Sequence, residues 1–429
     1  MLPDSRCIEP DYQVPQFNVV ADEVEDFHDR LKGFKEYFHP CFQRSESREN
    51  FLLYLSGQLS EVERKSIEPM AMRVDGATIR GLQRFISNSK WDEAQMLDIY
   101  HGLINEDLGD RHGALLFDET GFLKKGNDSA GVARQYCGTA GKVDNCQVGV
   151  FCAYVSSYGY SLLDKRLYIP EKWFSNEFKE RRSKCEIPED QEFKTKPQLA
   201  AEMFREIASK ETLPFSYVVS DSLYGNSSEF VNALAERDEF TYFLSVHKDT
   251  RCWTSQPRVR EKQYTYRGKT KTKTVLDKKQ PQPVRVDELA QQINPYQWYR
   301  FKVSEGTKGP IVYEFAKKRV VLSNHGLPSR RVWLIIKRTV SDEPEYSFYI
   351  SNAQKSTRLR TFAWLSGLRW AIEQCFEEAK SIVGMDQYEV RKFRAWHHHM
   401  LVCMLAHFFL WHLKIAMGKK STGYYGIAA

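Results

Sequence analysis

The spacing of apolar and polar positions changes character several times along the chain. Residues 1 to about 110 carry apolar positions at helical intervals. "SEVE" at Ser60 to Glu63 has the form of a capping box and predicts a helix running through Arg73. "VDGAT" breaks that helix, "TIRGLQRFISNS" restarts one, and "SKWD" caps a third through "EAQMLDIYHGLI". From Ala114 the pattern becomes that of strands, in "ALLFDETGFL", "CQVGVFCAYVS" and "YGYSLLDKRLYI". The glycine-rich connection from Lys124 to Asn145 is long for a hairpin, which marks a candidate functional loop. "KPQLAAEMFREIASK" reads as a helix, "FSYVVSDSLYG" as a strand ending in a carboxylate, "EFVNALAER" as a helix and "FTYFLSVH" as a strand. From about Lys248 to Ala353 the runs are strand-like, and helical spacing returns from Leu359 to about Met417.

This order predicts an α/β protein with several parts. A helical segment (1–110) precedes an α/β segment (111–247). A β-rich segment (248–353) interrupts the α/β part, which resumes with helices (354–417) and ends in a tail (418–429). Three short helices with tight turns in the first segment resemble a helix-turn-helix bundle, and Arg73, Arg80 and Arg84 could form its basic face. The alternative for the same helices is a purely structural or dimerising bundle.

Two late helices stand apart. In "RWAIEQCFEEAK", Arg369, Glu373 and Lys380 fall within about 40° of one another on a helix. Leu365, Leu368, Ile372, Phe376, Ala379 and Val383 gather on a different arc. A charged stripe beside an oily face is also what any surface helix shows. The longest apolar run, "MLVCMLAHFFLWHLKIAM", is interrupted by His407, His412 and Lys414, and reads as a buried helix rather than a membrane span.

Composition narrows the class. The chain is 42% hydrophobic and 13% aromatic, enough for sizeable cores and unlike a disordered sequence. Its nine cysteines are scattered and no CxxC occurs, which argues for reduced thiols and against a disulfide scaffold or zinc ribbon. The opening "MLPDSRCIEP" has no apolar signal core, so a cytoplasmic protein is expected.

The net charge of +6 is unevenly spread. Residues 1–110 hold 21 Asp and Glu against 12 Lys and Arg, whereas residues 248–279 hold 11 Lys and Arg against three Asp and Glu. Arg267, Lys269, Lys271 and Lys273 lie in the densest stretch. Such a patch suits a polyanion such as nucleic acid, although a solvated loop has the same composition.

Three carboxylates carry the candidate chemistry. Asp118 sits in the first strand, Asp221 follows "YVVS" at a strand end, and Glu373 lies on the late helix. Adjacent strands crossed by a helix can bring such groups to one point. Three hard oxygen donors suit Mg²⁺ or Mn²⁺, and two such ions can activate a water or a 3′-hydroxyl for phosphodiester cleavage. A single strand-end Asp is more often a turn or cap residue, so only the combination is informative.

The combination resembles the DDE transposases of bacterial insertion sequences. It is nearest the insertion-sequence 701-like group within those carrying a Tyr-x2-Arg-x3-Glu-x6-Lys signature. Arg369, Glu373 and Lys380 match that spacing, and Ser366 stands where the signature has Tyr. "LLFDETGFLKKG" resembles the first-Asp motif and "SDSLYG" the Asp-x-x-Tyr-Gly motif. The resemblance covers roughly residues 50–417. It implies an RNase H-like catalytic core interrupted by an inserted β-rich domain. It also implies Asp118, Asp221 and Glu373 as ligands of two divalent metals, with Arg369 and Lys380 binding DNA phosphates beside them. The implied partner is double-stranded DNA, as terminal inverted repeats and target, bound by a homodimer or larger synaptic assembly without a membrane.

Neighbouring residues leave alternatives open. Glu119 should point to the opposite strand face from Asp118. Glu377, one turn from Glu373, is the next candidate ligand, ahead of Asp128 in the glycine-rich loop. Tyr224 either contacts DNA or packs behind Asp221, and Arg134 and Lys142 either reach phosphates or are merely solvated. His397 to His399 point in different directions on a helix, which disfavours a shared metal. Trp253, Trp298 or Trp333 could hold a flipped base, with core packing the plainer role for each. The rival functions are a stand-alone metal-dependent nuclease and a transposase-derived DNA-binding regulator.

Overall fold

The computed structural model describes residues 27–267, 269–306 and 309–418. The first 26 residues, Cys7 among them, and the tail from 419 lie outside the described residues. The chain forms two compact units. One runs to Ser216 and resumes at Trp370, and the other includes Tyr217–Arg369. These divisions fall elsewhere than the sequence boundaries at 110, 247 and 353.

The first unit begins with five helices: α1 (Phe27–Glu36), α2 (Ser45–Leu59), α3 (Ile67–Arg73), α4 (Ile79–Ser87) and α5 (Glu93–Leu108). Thr78 caps α4 by accepting from the Gly81 amide, and Asp92 caps α5 by accepting from that of Gln95. The expected capping box at Ser60 is not formed. Ser60 instead ends α2, and the next helix opens only at Ile67. Pro69 accounts for the shift. It sits in the first turn of α3, where its missing N–H is harmless, whereas a helix begun at Glu61 would hold it in the interior.

Four strands follow: β1 (Ala114–Leu123), β2 (Ala133–Cys137), β3 (Lys142–Ser156) and β4 (Gly159–Tyr168). β1 and β4 pair antiparallel with β3, and β2 pairs with the first residues of β3. The supposed long loop therefore contains a strand. Arg134 lies on β2 opposite Asn145, and Lys142 begins β3. Helices α6 (Lys179–Lys184) and α7 (Lys196–Lys210) follow, and the unit closes with α12 (Trp370–Ser381) and α13 (Phe393–Gly418). β3 is buried at every residue from Cys146 to Ser156, because α7 packs on one face of its sheet and α12 with α13 on the other.

α13 is the one described helix long and apolar enough to cross a membrane, and 72% of that stretch is buried within the protein. Its cover includes the N-terminal helices. Tyr54 meets His399, Trp91 stacks on His398 at 3.8 Å and Phe34 packs on Phe409 at 5.1 Å. A helix apolar all round has to be enclosed. The eight described cysteines are free and buried.

The second unit holds the strands β5 (Tyr217–Ser220), β6 (Thr241–Val246), β7 (Arg251–Trp253), β8 (Val259–Tyr266), β9 (Lys269–Leu276), β10 (Val284–Arg285), β11 (Tyr299–Gly306), β12 (Gly309–Asn324), β13 (Leu327–Thr339) and β14 (Tyr346–Ser351). Its helices are α8 (Ser222–Gly225), α9 (Ser228–Ala235), α10 (Val286–Gln291) and α11 (Leu359–Leu368). Within it the order is β10-β7-β12-β13-β14-β6-β5, with β11 on the free side of β12. β5 and β6 are parallel and the other pairings antiparallel. The β-rich segment thus continues one sheet with β6. β8 and β9 stand apart as a two-stranded sheet.

Candidate active site

Asp118 lies in the middle of β1, with one carboxylate oxygen accepting the Glu119 amide at 2.8 Å. Strand alternation puts Asp118, Thr120 and Phe122 on one face and Glu119 on the other. Contacts agree with this division. Glu119 pairs with Lys196 of α7 at 2.9 Å. Phe151, cross-strand from Asp118, packs on Phe376 of α12 at 5.4 Å. Thr120 accepts the Lys380 ammonium at 2.7 Å.

Glu373 is exposed in the first turn of α12 and Lys380 stands two turns later. Residues seven apart share a helix face. The Lys380–Thr120 bond therefore joins the α12 face carrying Glu373 to the β1 face carrying Asp118. Lys380 also reaches the Thr139 hydroxyl at 2.9 Å and the Gly121 carbonyl at 3.3 Å. Its three protons are thus matched by three protein oxygens, and burial lowers its pKa. Lys380 thereby fastens α12 to β1 and to the turn after β2.

Sequence reasoning missed the acceptors Thr120 and Thr139, and it missed Glu378. Glu378 is 6% exposed and accepts from Tyr160 (2.7 Å) and the Gln374 amide (3.0 Å), with His407 at 2.8 Å. Burial alone would raise its pKa, but these hydrogen bonds hold the carboxyl below its ordinary value. An acid following Ala371 and Cys375 on a buried flank was the available signal. Glu378→Ala is expected to destabilise the protein by about 3 kcal/mol, because it strands buried partners. Glu378→Gln should cost clearly less. Urea unfolding at pH 7 measures both, and equal losses would refute the network.

In the second unit, Asp221 follows β5 and caps α8, accepting from the amides of Leu223 (2.9 Å) and Tyr224 (3.4 Å). The rest of "DSLYG" is structural. Tyr224 is fully buried with its ring 5.6 Å from Phe230, the packing role that stood as the alternative to DNA contact. A Cβ on Gly225 would lie 1.9 Å from the Ser245 carbonyl of β6. Gly225→Ala should therefore cost more than about 2 kcal/mol, since backbone must move. A thermal midpoint within 1 °C of wild type would contradict that close approach.

Arg369 is exposed at the end of α11, and α12 begins only at the next residue. The single expected helix is thus interrupted. Ser366 bonds back to the Ala363 carbonyl at 2.7 Å, and Gly367 follows it with Val303 where a Cβ would sit. A Ser-Gly pair is a common cause of such breaks.

The remaining basic candidates are solvent-facing. Arg134 is exposed, and Lys142 is exposed and paired with Asp144 at 3.2 Å. Arg80 and Arg84 lie one turn apart on α4 and line an open groove of about 800 Å³ with Arg391 and Lys392. Arg267 occupies the β8–β9 turn with φ 51°, and Lys269, Lys271 and Lys273 lie on β9. Trp253 and Trp298 are buried, while Trp333 is half-buried under Lys317 and Arg319. Among the described residues, no group of three or more His, Cys, Asp or Glu is gathered to hold a metal. Asp118 and Glu373 nevertheless offer hard oxygen donors from facing surfaces, the donor type that Mg²⁺ and Mn²⁺ take.

The chain matches the model of the DDE superfamily endonuclease family over residues 37–310. It belongs to that family. The match contains both Asp motifs and stops short of the α12 carboxylate. Over 220 residues the chain is 30% identical to the probable transposase for insertion sequence element IS701 of Microchaete diplosiphon, covering 50% of this chain and 53% of the relative. The chain thus spans about half the length of that curated relative. Among solved structures it resembles the piggyBac transposase synaptic complex with hairpin DNA. That likeness has a TM-score of 0.42 and 7% identity, and covers 92% of this chain and 77% of the other.

Proposed function

We propose that this DDE superfamily endonuclease is a DNA transposase. It would cleave at the inverted repeats of its own element and transfer the freed 3′-hydroxyl into target DNA. The observation that carries the reading is the Lys380–Thr120 bond, which turns the Glu373 face of α12 toward the Asp118 face of β1. In this reading β1, β3 and β4 with α7 and α12 belong to an RNase H-like core. The α1–α5 helices are the N-terminal DNA-binding or dimerising part, and residues 248–353 the β-rich insertion.

Asp118, Asp221 and Glu373 would hold two Mg²⁺ or Mn²⁺ ions. When bound, such ions lower the pKa of an attacking water or hydroxyl and stabilise the leaving oxygen. The chain's own task is to fix the carboxylates. The Glu119 amide orients Asp118, two amides of α8 orient Asp221, and Lys380 holds the helix of Glu373 against β1. Arg369, Arg134, Lys142, Arg80, Arg84 and the basic strand β9 are proposed to bind DNA phosphates within a dimeric or larger assembly in the bacterial cytoplasm.

The test incubates purified protein and Mg²⁺ with a labelled duplex carrying the DNA that flanks its own gene. Cuts at the element end, followed by covalent joining to a target duplex, are expected. Cutting without joining would reduce the reading to a nuclease. Binding without cutting in either Mg²⁺ or Mn²⁺ would leave a DNA-binding protein.

A further inference from the structure

The hairpin of β8 and β9 has two chemically different faces. Directly opposed residues in an antiparallel pair share a face. The pairs Arg260↔Val275, Lys262↔Lys273, Tyr264↔Lys271 and Tyr266↔Lys269 therefore define one side. It holds five cations and no carboxylate. The pairs Glu261↔Thr274, Gln263↔Thr272 and Thr265↔Thr270 define the other, which is mainly threonine. β8 is exposed along its whole length, as is β9 through Thr274.

This arrangement costs stability. Lys262 and Lys273 face each other directly, and like charges in that position repel. An isolated two-stranded sheet is marginal to begin with. The threonines supply the β propensity that keeps the ribbon extended. Tyr264 and Tyr266 steady the cations, with Lys273 5.3 Å from the Tyr264 ring and Lys271 5.1 Å from the Tyr266 ring. Ring faces engaged in this way are less open to stacking with the bases of a single strand. Eight residues at about 3.3 Å each give a ribbon of roughly 26 Å, of a kind that the major groove of B-DNA admits.

We propose that the β8–β9 ribbon is an arm whose basic face grips the phosphate backbone of duplex DNA without reading its sequence. The inference rests on DNA being the substrate, as argued above. Four of the five cations are lysines, which act as point charges. Asn and Gln, which read adenine bidentately, are missing from that face, Gln263 points to the other, and Arg260 is the one planar fork there that matches guanine. The arm thus supplies salt-dependent affinity that would serve element ends and target alike.

The full chain can be tested by fluorescence anisotropy on two duplexes, one carrying the element end and one unrelated, from 50 to 300 mM salt. Removing the charges together (Arg260→Gln, Lys262→Gln, Lys269→Gln, Lys271→Gln, Lys273→Gln) should flatten the plot of log Kd against log salt by about 4. Affinity should fall at least about tenfold at 100 mM salt, equally on both duplexes. Lys262→Arg, Lys269→Arg, Lys271→Arg and Lys273→Arg together should retain binding, as should Thr270→Ser with Thr272→Ser. An unchanged salt slope would overturn the proposal, as would a loss confined to the element end or a larger loss on single-stranded DNA or RNA. The outcome is separable from the transposase reading. A wild type that binds but never cuts would refute that reading and leave the arm intact, and an arm variant that still cuts with full salt sensitivity would do the reverse.

Discussion

Asp118→Asn is expected to slow cleavage of the element-end duplex by at least about a thousandfold while leaving duplex affinity within about threefold of wild type. Asn keeps the shape of Asp and retains an oxygen to accept the Glu119 amide, so the strand has no reason to rearrange. What is lost is a negative charge on the face of β1 turned toward α12. Glu373→Gln should have the same consequence, because Glu373 is solvent-exposed and its replacement leaves the packing of Phe376 on Phe151 untouched. If both carboxylates serve one reaction centre, the double variant should be scarcely slower than either single one, since groups acting as a unit are non-additive. Single-turnover assays in Mg²⁺ measure all three. Cleavage within tenfold of wild type in either single variant would remove that residue from the centre. Multiplicative losses in the double variant would mean the two act separately.

The elements that carry the candidate carboxylates were legible, because Asp118 and Asp221 sit on or beside strands whose patterns are strong. The run "ALLFDETGFL" places Asp118 on a strand, and "YVVSDSLYG" places Asp221 at a strand-to-helix junction. What could not be read was the use that tertiary neighbours make of these chemically suggestive residues. The Lys380 ammonium has its acceptors 241 and 260 residues away in sequence, at Thr139 and Thr120. No local spacing encodes that pairing. Tyr224 and Gly225 lie in a motif that suggests chemistry, yet they serve the packing of α8 on β6. The strand inside the supposed loop was hidden because only five residues, Ala133 to Cys137, form it, and two of them are Arg134 and Gln135. The capping box at Ser60 failed for the opposite reason. Its local signal was genuine in form, but Pro69 nine residues on decided where a helix could begin.

Stability is expected to fall steeply as the solution is acidified from pH 6.5 to 5, well before carboxylates protonate. The cause is the triplet His397 to His399 on α13. Burial pushes His397 down to about 3, against the opposing pull of Glu93, with Lys165 and Arg166 adding to the depression. Burial likewise pushes His398 to about 4 and His399 to about 3. Glu93, Lys165 and Arg394 face His398, while Lys124, Tyr54 and the Met385 carbonyl face His399. Each imidazole is therefore neutral in the fold, whereas in the unfolded chain it takes up a proton near pH 6.5. A group whose folded pKa is depressed gives stability that is full above its unfolded pKa and drains away as pH falls toward the folded value. Between pH 7 and 5 each histidine would remove about 2 kcal/mol, so the three together remove on the order of 6 kcal/mol. That is a large share of the roughly 5–15 kcal/mol that holds an ordinary domain together. The packing explains why the charge cannot be accommodated: His398 is stacked on Trp91, and His399 is enclosed by Tyr54, Tyr388 and Cys403. Urea unfolding at half-unit steps from pH 7.5 to 5 should show the midpoint nearly level above about pH 7 and falling steadily below about pH 6.5, and His398→Gln should remove about one third of that fall. A midpoint that stays flat down to pH 5 would show that the triplet is already solvated or protonated in the folded protein.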